Sequence, residues 1–290
     1  MLTPNAGGDA ASAPTTCAVI GHPVGHSLSP AIHRAAYAEV GLDWHYEAVD
    51  VAPGQVADFV RGLEPHWRAL SVTAPHKDDL VALGEPDDVV RLTGAANTWV
   101  RDAGARGGAI VRNTDVPGYG VAFAAHGLGD LSTATLVGNG ATARSAMVGL
   151  ARLGVRAVVV LARDPGRARG LVELGAELGV QVTPRALAEL AEMAGGASSD
   201  LVVSTVPAVG ATPYAELLAA LAPVVFDSVY DPWPTPLAQA AAARGALVLN
   251  GLDLLAGQAV EQVRWHTGAE VTFALLRGAA QDAMTARNHI

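Results

Sequence analysis

The segment Thr133-Ala134-Thr135-Leu136-Val137-Gly138-Asn139-Gly140-Ala141-Thr142-Ala143-Arg144 decides the fold of this chain. A short apolar run opens onto a glycine-rich turn, and an apolar helical pattern follows to about Leu153. A second strand, Ala157 to Ala162, completes the unit, and apolar runs at 200–204 and 223–227 continue it. In that frame two closely spaced glycines carry meaning. They let the backbone approach a pyrophosphate, and the helix N-terminus favours its charge. Gly138, Asn139, Gly140 and Ala141 therefore read as a dinucleotide phosphate loop. The competing reading is a tight βα turn in an α/β domain that holds no nucleotide.

The end of the second strand, Ala162-Arg163-Asp164-Pro165-Gly166-Arg167, should meet the adenosine ribose. An acid there binds the 2′-hydroxyl of NAD, whereas arginines favour the 2′-phosphate of NADP. Arg163 and Arg167 lean to NADP, and Asp164 keeps NAD open.

Upstream, a strand at 17–21, a helix from Ser29, a strand at 44–51, a helix at 53–63 and a strand at 69–73 alternate in βαβα order. That order is the mark of a mainly parallel sheet. The third strand runs into Ala74-Pro75-His76-Lys77, with a helix expected to begin near 76–79. Of the 19 Lys and Arg residues 18 are arginine, so Lys77 is the only lysine. Arginine stays charged at working pH, whereas a lysine ammonium can give up a proton. A lone lysine at the C-terminal end of a sheet strand, beside Thr73, is a candidate for proton transfer. His76, in the turn after Pro75, reads instead as a solvated or capping histidine.

Ser29-Pro30 reads as an N-cap serine followed by proline at the first helical position. With Ser27, two hydroxyls and free backbone N–H groups form a natural cradle for a carboxylate. His22, His26 and His33 suggest metal ligands by residue type, but Pro23 and Gly25 spoil helical spacing and no carboxylate or cysteine joins them. Asn97 and Asp115 flank two strands joined by a glycine-rich hairpin at 104–108, so they can lie near each other. Asp115 ahead of Val116-Pro117 also fits a plain helix N-cap. Downstream, Tyr230 offers a hydroxyl at a strand end. A helix from Asn250-Gly251 carries an apolar stripe through Leu252, Leu255, Ala259 and Val263. Gln258, next to that stripe, reads by pattern alone as a helix-surface residue. A last helix, about 270–287, should fold back on the first half.

The bulk numbers restrict the function classes. The chain has 290 residues, 50% apolar and 5% aromatic, enough for two domains. A net charge of −9 without a basic cluster argues against nucleic acid and anionic membranes as partners. The lone Cys17 reads as a small core residue. Residues 1–14 read as a disordered tail, not a signal peptide, and no apolar run is long enough to span a bilayer. A soluble cytoplasmic protein, monomer or homodimer, is expected.

Several ordered motifs resemble the shikimate dehydrogenase family, from about residue 17 to the C-terminus. They are Gly21-x-Pro23 with His26-Ser27-x-Ser29-Pro30-x-x-His33; Val72-Thr73-x-Pro75-x-Lys77; Gly94-Ala95-x-Asn97-Thr98; Asn113-Thr114-Asp115; and Gly251 with Gln258-Ala259. The resemblance implies that Lys77 and Asp115 form the catalytic pair and that Ser27 and Ser29 bind the substrate carboxylate. Thr73, Asn97, Tyr230 and Gln258 would contact the ring hydroxyls or the carboxylate. Thr205 and Gly251 would join the nucleotide contacts. The implied fold is a mainly parallel α/β substrate domain, 15–115 completed by helices at 251–290, around a Rossmann-like domain at 116–250. The implied reaction is NADP-dependent reduction of 3-dehydroshikimate to shikimate, with no metal. An NAD-dependent quinate/shikimate dehydrogenase is the alternative, and a non-catalytic NAD(P)-sensing regulator a remote one. Three departures stand out: Ser71 replaces a frequent asparagine, the loop is Gly-Asn-Gly-Ala instead of Gly-x-Gly-Gly, and Ala162-Arg163-Asp164 replaces Asn-Arg-Thr.

Overall fold

A computed structural model describes residues 14–193 and 199–288; the expected tail lies, but for its last residue, outside the described residues. The first half runs β1 (Thr16–Gly21), α1 (Ser29–Glu39), β2 (His45–Asp50), α2 (Val56–Arg61), β3 (Trp67–Val72), β4 (Glu85–Pro86), α3 (Asp88–Thr93), β5 (Thr98–Arg101) and β6 (Ala109–Arg112). These strands form a six-stranded sheet in the order β2-β1-β3-β5-β6-β4. β1 pairs in parallel with β2 and β3, while β5 runs antiparallel to both β3 and β6. Every residue of β1 is buried, which is why Thr16 to Gly21 reads as a continuous apolar run with no alternation.

α4 (Asp115–Ala125) leads to the second sheet. There follow β7 (Thr133–Val137), α5 (Ala141–Arg152), β8 (Ala157–Ala162), α6 (Arg169–Leu178), β9 (Gln181–Ala186), α7 (Leu190–Met193), β10 (Leu201–Ser204), α8 (Ala208–Ala211), α9 (Ala215–Ala219), β11 (Val224–Asp227), α10 (Pro236–Ala243) and β12 (Leu247–Asn250). All pairings in this sheet are parallel, in the order β12-β11-β10-β7-β8-β9. The strand order reverses between β7 and β10, which is where open α/β sheets bind ligands.

The chain ends with α11 (Gly251–Thr267) and α12 (Phe273–Asn288). α11 opens with a capping box: Asn250 accepts from the Leu252 N–H, and Asp253 accepts from the Asn250 N–H at 2.8 Å. Its stripe of Leu252, Ala256, Ala259 and Val263 is buried against the first-half core, with Ile32, Tyr37 and Tyr46. Each such leucine or valine contributes roughly 1.5–3 kcal/mol of burial. α12 packs on α1 and α11, so the last helix does return to the first half. The apolar face of α4, Val116, Tyr119 and Phe123, packs into the core of the second sheet. α4 and α11 lie against each other between the sheets, and their backbones nearly touch where Gly118 meets Gly257.

Helix starts differ from the sequence reading in three places. α1 begins at Ser29 with Leu28 as N-cap, so Ser29 is the first helical residue and not the cap. The Ser27 hydroxyl takes the capping role in part, accepting from the Ser29 N–H at 3.3 Å. After Lys77 comes a 3₁₀ turn, Asp79–Leu83, in place of an α-helix. α4 is capped by Thr114, which leaves the Asp115 carboxylate free for other work.

Candidate active site

A cavity of about 380 Å³ opens between the two sheets. Its first-half wall comes from the ends of β1 and β3 and the start of α1, and includes Ser27, Ser29, Ser71, Thr73, Lys77, Asn97 and Asp115. Its second-half wall comes from the ends of β10 and β11, with Thr205 and Tyr230, and from α11 with Gly251 and Gln258. Thr142, in the first turn of α5, also reaches the cavity. Ten of the candidate catalytic, substrate and cofactor residues thus meet in one place, although they span positions 27 to 258.

Lys77 and Asp115 sit at the centre. The Lys77 ammonium donates to Asp115 Oδ2 in a short ion pair. Asp115 is only 3% exposed, and a carboxylate so buried needs partners. Its other oxygen accepts from Asn97 Nδ2 at 2.9 Å. Asn97 is itself locked, because its Oδ1 accepts from the Thr114 N–H at 2.8 Å and from the Thr98 hydroxyl at 2.9 Å. The second Asn97 N–H reaches Gln258 Oε1 over a long 3.4 Å, the weakest link of the set. Gln258 is 6% exposed and faces the cavity, so the surface reading from its pattern is wrong. The pattern misplaces it because α11 is covered on two sides, by the first-half core and by α4.

Behind this pair runs a buried chain of hydrogen bonds. Tyr46 donates to Ser71 Oγ at 2.6 Å, and Ser71 donates to Gln262 Oε1 at 2.9 Å. Gln262 donates in turn to the Asn97 carbonyl and to Thr98 Oγ1. Burial holds the Tyr46 hydroxyl far above its ordinary pKa, so it is a fixed donor. Because Ser71 gives its one proton to Gln262, it can only accept from a ligand. Sequence reading missed Tyr46 and Gln262. A usable signal existed for Gln262, which lies one helical turn after Gln258 on the same face. His76 also departs from expectation: it is fully buried and donates from Nε2 to the Val51 carbonyl at 2.7 Å, bracing the lysine turn.

On the nucleotide side, Gly138 follows β7 at φ 113°, and a Cβ there would collide with Thr205 Oγ1. Only glycine permits that approach of β7 and β10. α5 is capped by Gly140 without any side-chain hydrogen bond, so no side chain competes for its first N–H groups. Asn139 donates to the Arg167 carbonyl at 3.0 Å, tying the loop to the turn after β8. In that turn Asp164 accepts from the Gly166 N–H at 2.9 Å and caps a 3₁₀ turn, while Arg163 and Arg167 are exposed beside it. Asp164 thus has a local role, and two guanidiniums remain for a 2′-phosphate. Uncapped N–H groups, a glycine approach and flanking arginines fit a dinucleotide.

Comparison with known proteins agrees with this geometry. A family profile described as the shikimate dehydrogenase substrate binding domain matches residues 19–99. The NADP(+) shikimate dehydrogenase of Rubrobacter xylanophilus is 37% identical over 269 residues, covering 90% of this chain and 93% of that protein. The chain belongs to the shikimate dehydrogenase family. The crystal structure of the Mycobacterium tuberculosis shikimate dehydrogenase superposes with a TM-score of 0.84 at 38% identity, covering 92% of this chain and all of that one (100%). A Thermus thermophilus shikimate 5-dehydrogenase solved with NADP(H) and shikimate matches with a TM-score of 0.77 at 29% identity, covering 92% and 99% of the two chains.

Within this shikimate dehydrogenase framework two arginines were not foreseen. Arg287 on α12 donates to the His26 carbonyl and to Asp231, both at 2.7 Å, joining loops from the two halves. Arg144 on α5 pairs with Asp78 at 2.5 Å. Of the histidines weighed as metal ligands, His33 is buried and stacked on Tyr46, and His22 pairs with Asp50 at 2.7 Å. Among the described residues no group of three or more His, Cys, Asp or Glu is placed to hold a metal ion. Nor is any described helix long and apolar enough to cross a membrane.

Proposed function

We propose that the chain catalyses the reversible NADP-dependent reduction of 3-dehydroshikimate to shikimate, a cytoplasmic step of aromatic amino acid biosynthesis. The observation that carries this reading is the Lys77–Asp115 ion pair on the wall of a cavity that Thr142, just after the dinucleotide loop, also lines. Residues 15–115 with 251–290 act as the substrate-binding domain, and 116–250 as the nucleotide-binding domain.

Bound NADPH supplies the hydride that the ring ketone carbon receives. As that carbon is reduced, negative charge grows on the ring oxygen, and the Lys77 ammonium stabilises it and then gives it a proton. Asp115 aims Nζ through Oδ2 while Asn97 fixes its other oxygen, so the ammonium is oriented before substrate arrives. In the oxidative direction neutral Lys77 takes the hydroxyl proton back. Ser27 and Ser29, at the start of α1 on the cavity wall, bind the carboxylate, and Thr73, Asn97, Tyr230 and Gln258 hold the ring. Gly138 to Ala141, Thr205 and Gly251 form the nucleotide contacts, with Arg163 and Arg167 on the 2′-phosphate.

The capping role of Asp164 favours NADP over NAD, and the intact ion pair favours catalysis over sensing. Absorbance at 340 nm, with shikimate or quinate and either cofactor, tests this directly. The expected result is strong reduction of NADP to NADPH with shikimate and weak turnover with NAD or quinate. Turnover with quinate and NAD that exceeds shikimate and NADP would replace the assignment by its alternative, and no turnover in any pairing would remove it.

A further inference from the structure

Two neighbouring residues on α5 leave the nucleotide side and grip the two loops that carry Lys77 and Asp115. Arg144 donates from Nε to the Thr93 carbonyl at 2.5 Å and from Nη2 to Asp78 Oδ1 at 2.5 Å. Asp78 directly follows Lys77 in the chain, and the Lys77 carbonyl is held by the Ala96 N–H at 2.8 Å. Ser145 accepts from Asn113 Nδ2 at 2.9 Å, and Asn113 Oδ1 accepts from the Asp115 N–H at 3.2 Å. Asn113 also donates to Thr93 Oγ1 at 3.0 Å, so both grips share Thr93. Ser145 donates back to the Ala141 carbonyl at 3.1 Å, in the phosphate loop itself.

The two grips differ in kind. Asp78 is well exposed, so its ion pair with Arg144 adds little stability, though the Thr93 carbonyl fixes the guanidinium. Ser145, Asn113 and Thr93 are at most 4% exposed, and an unpaired polar group there would be costly. Such a satisfied buried network is stiff. Nothing in it touches the cavity, so its effect on catalysis must pass through the loops it holds.

We propose that Arg144 and Ser145 are positioning residues: the first turn of α5 registers the Lys77–Asp115 pair against the bound nucleotide, so that phosphate loop and acid–base pair behave as one rigid unit. This rests on the proposed function for the identity of the reaction, but the registration itself can be read without turnover.

The single lysine makes that possible, because lysine labelled with ¹⁵N gives one side-chain resonance. 2′-Phospho-ADP-ribose carries the pyrophosphate but lacks the nicotinamide, so it reaches the loop without touching Lys77. Its saturation should move the Lys77 resonance in the unsubstituted protein. In Arg144→Ala/Ser145→Ala it should still bind, by calorimetry, yet leave the resonance in place. Asp78→Asn, an exposed change that spares the fold, should give part of the same loss. In turnover, kcat of the double variant should fall about tenfold or more, with both KM values within about twofold, as expected for misplacement without lost contacts. The proposal is overturned if the probe fails to move the Lys77 resonance in the unsubstituted protein, or moves it equally in the double variant. It is overturned too if kcat is retained, or if the loss appears only as a raised KM. If the unsubstituted protein turns over no shikimate while the resonance still responds, the reaction assignment fails and the registration stands.

Discussion

At the scale of single residues, the arrangement around Lys77 separates charge from proton transfer. A guanidinium at position 77 would keep the positive charge beside Asp115, but it cannot give up a proton at working pH. Lys77→Arg is therefore expected to lower kcat by about 10²-fold or more while the protein melts as before. Stopped assays across pH, with a thermal melt in parallel, check this; a near-normal kcat would show that charge alone suffices. Lys77 was legible because it is the only lysine, and Asn97 and Asp115 because two short strands with a tight hairpin must bring their ends together. The partners that orient them were not legible. Gln262 lies 165 positions from the Asn97 carbonyl it holds, and Arg144 lies 66 positions from Asp78. No local pattern encodes either meeting. Asp115 illustrates the opposite limit: local sequence fits an N-cap, and tertiary partners overrule it.

At the scale of elements, the helices that cross between the sheets supply part of the cavity wall. Gly118 on α4 and Gly257 on α11 face each other so closely that a Cβ on Gly118 would lie 2.7 Å from the Gln258 backbone nitrogen, and one on Gly257 would strike the Gly118 carbonyl. Glycine at both positions permits this crossing, and Gln258 follows directly from it. Gly257→Ala should force the helices apart, with a loss of about 1–3 kcal/mol, the usual range for overpacking. Because Gln258 would move with the backbone, KM for shikimate should rise as well. Urea unfolding combined with steady-state kinetics tests both, and unchanged values would show that the crossing has slack. The glycine-loop unit at 133–162 was the most legible element, since strand, turn and helix signals agree there. α11 was the least, because a helix buried on two faces has no clean polar side from which to read its orientation.

At the scale of the whole molecule, α1 from the start of the chain and α11 from its end meet over two buried histidines. His33 and His266 are both fully buried, with ring centroids 5.3 Å apart. His33 donates from Nδ1 to the Ser29 carbonyl at 3.0 Å and stacks on Tyr46, while His266 shares a hydrogen bond with the Tyr37 hydroxyl at 3.0 Å. Among the described residues the Nε2 atoms of both rings have no hydrogen-bond partner. Burial pushes the His33 pKa down from 6.5 to about 4, and burial, with His33 and Arg68 nearby, holds His266 well below its ordinary value. Both rings are therefore neutral in the folded protein at pH 7 but become charged in the unfolded chain once pH drops below about 6.5. The unfolded state then binds more protons, so stability is full above pH 6.5 and declines as pH falls from there towards 4. His33 alone accounts for on the order of 3 kcal/mol across that window. The buried Asp227 carboxyl, whose pKa is raised by burial, opposes this but only in the carboxylate range. Melting followed between pH 7.5 and about 4.5 should thus show a steep fall beginning near the histidine midpoint. His33→Asn, which keeps a polar group of similar size near the Ser29 carbonyl, should lower the melting point at pH 7.5 yet flatten its dependence on pH. A variant that melts lower but keeps the slope would mean that the acid sensitivity arises elsewhere in the fold.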